Sequence, residues 1–308
     1  MTKERQIWFK GKIIPVSEAK INVLAPTCQF GANVFEGMQC YWNEEEKQLY
    51  GFRISEHMLR LIDSVTKIGF KNKYNIEELV KYFKDIIKAN NYKEDIAVRQ
   101  TIFLDGFGSW SSKEPTEMFI APIARGRPFN KDKIGISCFV SSWERINEKS
   151  LSPKIKCGAN YINSRMAQLE AVKKGYDTAI LLNNKGTVSE APGSCIVIIK
   201  NNKLITPPLT ASILNSITRL TVLEIAKKEL NLETLEQDIQ KEELETADEI
   251  FLCGTSMEIT PVIMINKTKI NNENIGEITK KIRRIYFDIV RNKVKKYSHW
   301  LMPIYKTE

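Results

Sequence analysis

Residues 125–133 read Arg-Gly-Arg-Pro-Phe-Asn-Lys-Asp-Lys, and the apolar periodicity on either side of them lapses there. Glycine, proline and charge without a buried face cannot carry a helix or strand through, so the segment marks a boundary. It predicts a small N-terminal domain over residues 1–124, an interdomain loop over 125–134 and a larger domain over 135–308. With 43% hydrophobic residues, the chain has ample material for cores on both sides.

Upstream of that boundary the pattern is α+β. Gln6–Phe9 and Lys12–Pro15 flank a Lys10-Gly11 turn signal and predict a hairpin. After a turn-rich stretch, Ser55 is placed to cap a helix whose apolar positions are Met58, Leu61, Ile62, Val65 and Ile68. Asn75 with Glu78 three residues on has the form of a capping box, and Ile76, Leu79, Val80, Phe83, Ile86 and Ile87 mark the helix behind it. Strands are predicted at 96–104 and 117–121. Downstream, strands at 136–142, 178–182, 195–199 and 249–253 alternate with helices at 161–174 and 216–230 and a further acidic helical stretch after Leu230. There is no internal repeat and no low-complexity tract.

Charge and rare residues exclude several chemistries. The net charge of +9 comes from 46 basic against 37 acidic residues that are interleaved, as in Lys81-Tyr-Phe-Lys-Asp85, which predicts solvated faces and not a nucleic-acid groove. Six cysteines without a Cys-x-x-Cys pair, together with only two histidines, indicate neither a disulfide framework nor a zinc site, so no metal is expected. No apolar run suits a signal peptide or a membrane span, and the cytoplasm is the expected compartment. Hydrolases that set a histidine beside their nucleophile are disfavoured, because His57 reads as a helix-surface residue and His299 as part of the tail. The working base is then a lysine, carboxylate or tyrosine.

Spacing alone offers partial hints. Lys156, in Pro153-Lys-Ile-Lys-Cys-Gly-Ala-Asn160, sits among small residues just before a helix. A confined lysine is more readily neutral, and the neutral amine attacks aldehydes, yet the same segment also reads as ordinary surface. Gly254-Thr-Ser256 after a buried strand and Ser216-Ile-Thr218 at a helix start can cradle an anion, with Arg60 as a fixed positive charge. Serine and threonine also cap helices generally.

Together these segments carry a resemblance. The chain resembles the class IV aminotransferases, the fold-type IV pyridoxal-phosphate enzymes, and among them the branched-chain amino acid aminotransferases. The resemblance runs through Phe30-Gly-Ala-Asn-Val-Phe-Glu-Gly37, Phe52 to Leu61 with Arg60, Lys156-Cys-Gly-Ala-Asn-Tyr161, Val188-Ser-Glu190, Thr206-Pro-Pro208, Ile217-Thr-Arg219, Cys253-Gly-Thr255 and Glu258-Ile-Thr-Pro261. It implies an α+β, two-domain architecture like that of D-amino acid aminotransferase, with a small N-terminal domain and a larger β-rich domain with packed helices. It also implies pyridoxal 5'-phosphate as cofactor, with Lys156 attached to it and moving the proton of the substrate Cα. Tyr161 would meet the cofactor's phenolic oxygen, Glu190 its ring nitrogen, and Arg60, the Ile217 and Thr218 amides and Thr255 its phosphate. Phe30, Phe35 and Gly37 would line the side-chain pocket, Arg99 would meet the distal carboxylate of glutamate or 2-oxoglutarate, and Thr255 and Ser256 would offer amides to the α-carboxylate. The resemblance further implies a homodimer or larger homo-oligomer whose partners are small amino and 2-oxo acids.

Departures cluster on the substrate side. Ala97 stands where the branched-chain enzymes often carry tyrosine, Ala124-Arg-Gly-Arg127 where they often carry a tryptophan wall, Leu214-Asn-Ser-Ile217 where Leu-Pro-Gly-Ile is usual, and Cys195 where asparagine is common. The expected reaction is reversible amino transfer from leucine, isoleucine or valine to 2-oxoglutarate. Ala97 and Arg125 keep open a class IV aminotransferase for another amino acid or for the D-enantiomer. The charge and the basic tail near Lys295 leave a non-enzymatic anion- or nucleic-acid-binding protein as a remote reading.

Overall fold

The computed structural model describes residues 4–124 and 134–305, so the expected interdomain loop and the Arg125–Arg127 departure lie, but for Ile134, outside it. In chain order the elements are β1 (Gln6–Phe9), β2 (Lys12–Pro15), α1 (Pro26–Phe30), β3 (Asn33–Asn43), β4 (Gln48–Phe52), α2 (Ile54–Lys67), α3 (Ile76–Asn90), β5 (Ile96–Leu104) and β6 (Thr116–Ala124). There follow β7 (Ile136–Glu144), α4 (Asn160–Lys173), β8 (Thr178–Leu182), β9 (Cys195–Lys200), β10 (Lys203–Thr206), α5 (Ile217–Leu230) and β11 (Glu233–Glu236). The last are β12 (Glu249–Gly254), β13 (Glu258–Ile265), β14 (Thr268–Lys269), α6 (Glu277–Val290) and β15 (Leu301–Pro303).

The described residues divide into two units. The first holds 4–124, Ile155–Ala159 and 288–305, and its sheet is antiparallel throughout in the order β15-β4-β3-β5-β6-β1-β2. Lys10 and Gly11 both take positive φ (48° and 90°), the conformation a two-residue hairpin needs. On one face of this sheet Val34, Met38, Cys40, Val98 and Ile102 pack with Met58, Leu61 and Val65 of α2 and Leu79, Phe83 and Ile86 of α3. Full burial of each such aliphatic or aromatic side chain stabilises the fold by about 1.5–3 kcal/mol. The capping box at Asn75 and Glu78 is formed as predicted. Ser55 is not the cap of α2, however. Arg53 occupies that position at φ 50°, its amide donating to the Trp300 carbonyl at 2.7 Å and its guanidinium lying over the Trp300 ring.

The second unit, 134–154 and Asn160–Phe287, builds a mixed sheet in the order β11-β10-β9-β12-β13-β7-β8, with β14 beside β13. Ile136, Ile180, Ile196, Ile198, Ile250, Leu252 and Val262 form its main core. In α4 the buried residues are small: Ala167 and Ala171 let the helix close on Ala179 and Leu181. Its larger apolar residues Ile162, Met166, Leu169 and Val172 face outward.

Two expectations differ from the fold. The acidic stretch after Leu230 is helical only in a short 3-10 turn at Lys241–Leu244: before it, Asn231 ends α5 in the left-handed conformation, and Glu233–Glu236 pairs in parallel with β10, Lys203 reaching Glu233 at 2.8 Å. Nor does all of 135–308 pack as one domain. Ile155–Ala159 lies along β3, and β15 extends the first sheet beside β4. Pairing partners so distant in sequence leave no mark in local composition.

Candidate active site

In the first unit, β3 sets Glu36 and Phe35 on opposite faces of the sheet. Glu36 is fully buried and meets one face of α2, where His57, Arg60 and Ser64 recur at helical spacing. Arg60 grips it with Nε to Oε1 at 2.7 Å and Nη2 to Oε2 at 2.8 Å, and His57 Nδ1 lies 2.6 Å from Oε2. Burial alone would raise the Glu36 pKa, but the Arg60 guanidinium and His57 outweigh it and hold the carboxyl well below the usual carboxylate range. Burial pushes the His57 imidazole down, partly opposed by Glu36, and the charges of Arg60 and Lys156 push the same way. His57 is thus 1% exposed and part of a polar network, correcting the expectation of a surface residue.

The same face of α2 seats Lys156. Its amide donates to Ser64 Oγ at 3.2 Å and its carbonyl accepts from Phe35 N at 2.9 Å, while Cys157 bridges Val34 and Gly158 N donates to Asn33 O at 3.1 Å. A Cβ at Gly158 would stand 2.6 Å from Asn33 Oδ1, so any larger residue there would have to displace the Asn33 side chain. On the sheet face opposite Glu36, Arg99 lies across from Gly37 in the strand register, and the Phe35 ring has the Arg99 guanidinium 4.0 Å from its centroid and Lys156 Nζ at 5.2 Å. A Cβ at Gly37 would meet nothing within 4 Å. Phe30, 47% exposed at the end of α1, lies outside this linked group. Lys154 is engaged elsewhere, in an exposed pair with Glu148 at 3.1 Å.

In the second unit a buried carboxylate is again the anchor. Glu190 Oε1 accepts from Arg145 Nε at 3.0 Å and Nη2 at 2.8 Å, and Oε2 accepts from the Leu214 amide at 3.2 Å. Tyr161 stands in the first turn of α4, its Cε1 3.9 Å from where a Gly193 Cβ would lie; Gly193 has φ 90°. Gly254, ending β12, is pressed on the Gly193 carbonyl at 3.2 Å from its own would-be Cβ. Thr255 and Ser256 follow in the half-buried turn to β13. Ser216 caps α5, accepting from Arg219 N at 3.3 Å, and helix geometry leaves the amides of Ile217 and Thr218 without intrahelical partners. Those two residues are 6% and 2% exposed, so the first turn of α5 is buried. Arg219, itself 1% exposed, binds Thr206 Oγ1, the Pro207 carbonyl and Glu236, fastening α5 to the end of β10.

Sequence reasoning missed Glu36, His57, Ser64 and Arg145 as members of these networks. Glu36 lay inside a quoted motif, and His57 and Ser64 share a helix stripe with Arg60. Arg145 had no signal short of the fold.

A sheet-and-helix unit presenting a lysine, and a second presenting a buried carboxylate beside a capped helix start, are features of a class of enzyme. Residues 33–265 match the family model of the class IV amino-transferases, and the chain belongs to that family, whose cofactor is pyridoxal phosphate and whose architecture is the two-domain α+β fold type IV. Among curated relatives it is 41% identical, over 97% of its own length and 96% of the other's, to a probable branched-chain-amino-acid aminotransferase of Aquifex aeolicus. The crystal structure of the branched-chain aminotransferase from Thermoproteus uzoniensis with norvaline is similar at a TM-score of 0.93 and 39% identity, over 97% of this chain and 99% of that one. The cofactor-loaded form of the Thermobaculum terrenum branched-chain amino acid aminotransferase is similar at 0.92 and 37%, over 99% and 100%.

Proposed function

We propose that this chain transfers the amino group of leucine, isoleucine or valine reversibly to 2-oxoglutarate, giving the branched 2-oxo acid and L-glutamate. The observation that carries the reading is the Phe35 ring with the cations of Arg99 and Lys156 against it. An aliphatic side chain finds an apolar surface there, and the distal carboxylate of an acidic one finds Arg99. Identity above 30% to branched-chain enzymes over nearly the whole chain supports the same choice.

The donor set fits pyridoxal phosphate. Within the second unit the start of α5 would offer the Ile217 and Thr218 amides, with Thr255, to a phosphate dianion; within the first, Arg60, oriented by Glu36, is the cation that the family resemblance assigns to the same group. Glu190 suits the ring nitrogen, Tyr161 the phenolic oxygen and Lys156 the aldehyde. When bound, the cofactor supplies an aldehyde that takes up the amino group and a ring that withdraws electrons from the substrate Cα. Lys156 Nζ removes the Cα proton and returns it at the neighbouring carbon. Phe30, Phe35 and Gly37 take the donor side chain, Arg99 the distal carboxylate, and the amides of Thr255 and Ser256 the α-carboxylate. The outward Ile162, Met166, Leu169 and Val172 of α4 support assembly into a homodimer or larger homo-oligomer. Six free cysteines, five of them buried, suit a reducing cytoplasm, and no helix among the described residues is long and apolar enough to cross a membrane.

The test is a panel of amino donors with 2-oxoglutarate, run on wild type, Lys156→Ala and Lys154→Ala. Leucine, isoleucine and valine should all react. Lys156→Ala should lose at least ~10³-fold in kcat and its borohydride-trapped cofactor adduct, while Lys154→Ala keeps both. Negligible rates on all three donors would overturn the substrate assignment. Half-buried Ala97, opposite Gln39 and Ile123 in the sheet, favours a second reading, a class IV aminotransferase for another amino acid, which the same panel extended to aromatic, acidic and D-amino acids would reveal.

A further inference from the structure

We propose that Arg145 is the positioning residue for Glu190, fixing the orientation of that carboxylate and keeping it ionised; this rests on the reading of Glu190 as the partner of the cofactor's ring nitrogen. Both residues are buried, Arg145 at 6% and Glu190 at 4% exposure. A carboxylate so placed is penalised as a charge and, left alone, would tend to take up a proton. It would then offer a donor where an acceptor is needed. A guanidinium cannot give up its proton under these conditions, and its rigid fork sets direction as well as charge.

The surrounding bonds show how closely the pair is held. The Arg145 amide donates to the Leu182 carbonyl at 2.8 Å, and the Leu181 amide donates to the Glu190 carbonyl at 2.9 Å, so both main chains are pinned to adjacent residues of β8. Arg145 Nη1 donates to Asn163 Oδ1 at 3.2 Å, an oxygen that also accepts from Ile146 N, and Asn163 Nδ2 returns a bond to the Glu144 carbonyl at 2.8 Å. Asn163 is two residues beyond Tyr161 on α4. One guanidinium thus connects the carboxylate proposed for the ring nitrogen with the helix turn proposed for the phenolic oxygen. Stability does not account for such an arrangement, because a buried ion pair contributes little against a well-packed apolar pair.

The experiment loads the enzyme with pyridoxal phosphate labelled with nitrogen-15 in the ring and reads the nitrogen chemical shift across pH. It uses wild type, Glu190→Gln, Arg145→Met, Arg145→Lys and the Arg145→Met/Glu190→Gln double variant, with circular dichroism and thermal melting for the fold. Wild type should show a protonated ring nitrogen at neutral pH, and Glu190→Gln should lose it. Arg145→Met should move the shift toward the unprotonated value and lower kcat by ~10²-fold with KM changed less than ~threefold. Arg145→Lys should restore part of both, and Arg145→Met should add nothing once Glu190→Gln is present. If Arg145→Met keeps the wild-type shift and kcat while Glu190→Gln loses them, the role of Arg145 is overturned and that of Glu190 stands. If Glu190→Gln itself keeps the wild-type shift, the reading of Glu190 is what fails. Should Arg145→Met not fold, Arg145→Lys decides alone: a wild-type shift and kcat there would overturn the need for the fork, and intermediate values support it.

Discussion

Glu36 and His57 illustrate a charge network whose protonation should be legible in stability. His57 is buried and its pKa is depressed from an ordinary value near 6.5, so the unfolded chain takes up this proton before the folded one does. Stability from this site is complete above about pH 6.5 and is lost as pH falls below it. Glu36, held low by Arg60 and His57, acts with the same sign but only once pH falls below its ordinary value of 4.5. Urea unfolding at pH 7.5 and pH 5.5 should therefore show a loss of stability in wild type that is smaller in His57→Asn; equal losses would locate the titration elsewhere. Glu36→Gln should cost about 1–3 kcal/mol at neutral pH by taking the counter-charge from the half-buried Arg60, which urea unfolding also measures. None of this was legible in the sequence, where His57 read as helix surface. Helical spacing places it three residues from Arg60, but only the strand that carries Glu36 explains why that face is buried.

Among the elements, the segment Ile155–Ala159 is held by backbone pairing with β3, with Cys157 in the core and Ile155 and Ala159 packed against it. Gly158→Ala drives a Cβ toward Asn33 Oδ1 and should cost about 1–3 kcal/mol as an overpacking defect, lowering kcat along with stability because Lys156 is two residues away. Asn33→Ala in the same chain should recover most of the loss, and failure of that rescue, measured by melting and turnover together, would show that the crowding lies elsewhere. Elements with strong local signals were read correctly: the hairpin with its Lys10-Gly11 turn, the capping box of α3, and the strands β5 and β8. Those that depend on a distant partner were not. β3, an eleven-residue strand carrying Phe35 to Gly37, was read only as a turn-rich stretch, and β11 was read as helix because its alternating Glu-Thr-Leu-Glu is too short and acidic to announce an edge strand. The residues proposed for the cofactor, by contrast, were named because several short motifs agreed. Their supporting residues, Ser64 and Arg145, belong to no such motif.

For the whole molecule, the outward apolar stripe of α4 predicts association. Ile162→Glu combined with Leu169→Glu leaves the α4 core at Ala167 and Ala171 untouched, and light scattering should show a smaller assembly than in wild type. An unchanged mass would place the subunit contact on another surface. The path of the chain also bears on inheritance. A crossover between two related genes near residues 125–134 looks clean on the linear sequence, yet it would join the β3 of one parent to the lysine segment of the other. Whether such a hybrid works would turn on a match as small as an asparagine side chain against a glycine. Viable recombinants should therefore keep Asn33 and Gly158 from a single ancestor, and the lysine proposed for catalysis travels in heredity with the strand it lies on more than with its neighbours in sequence.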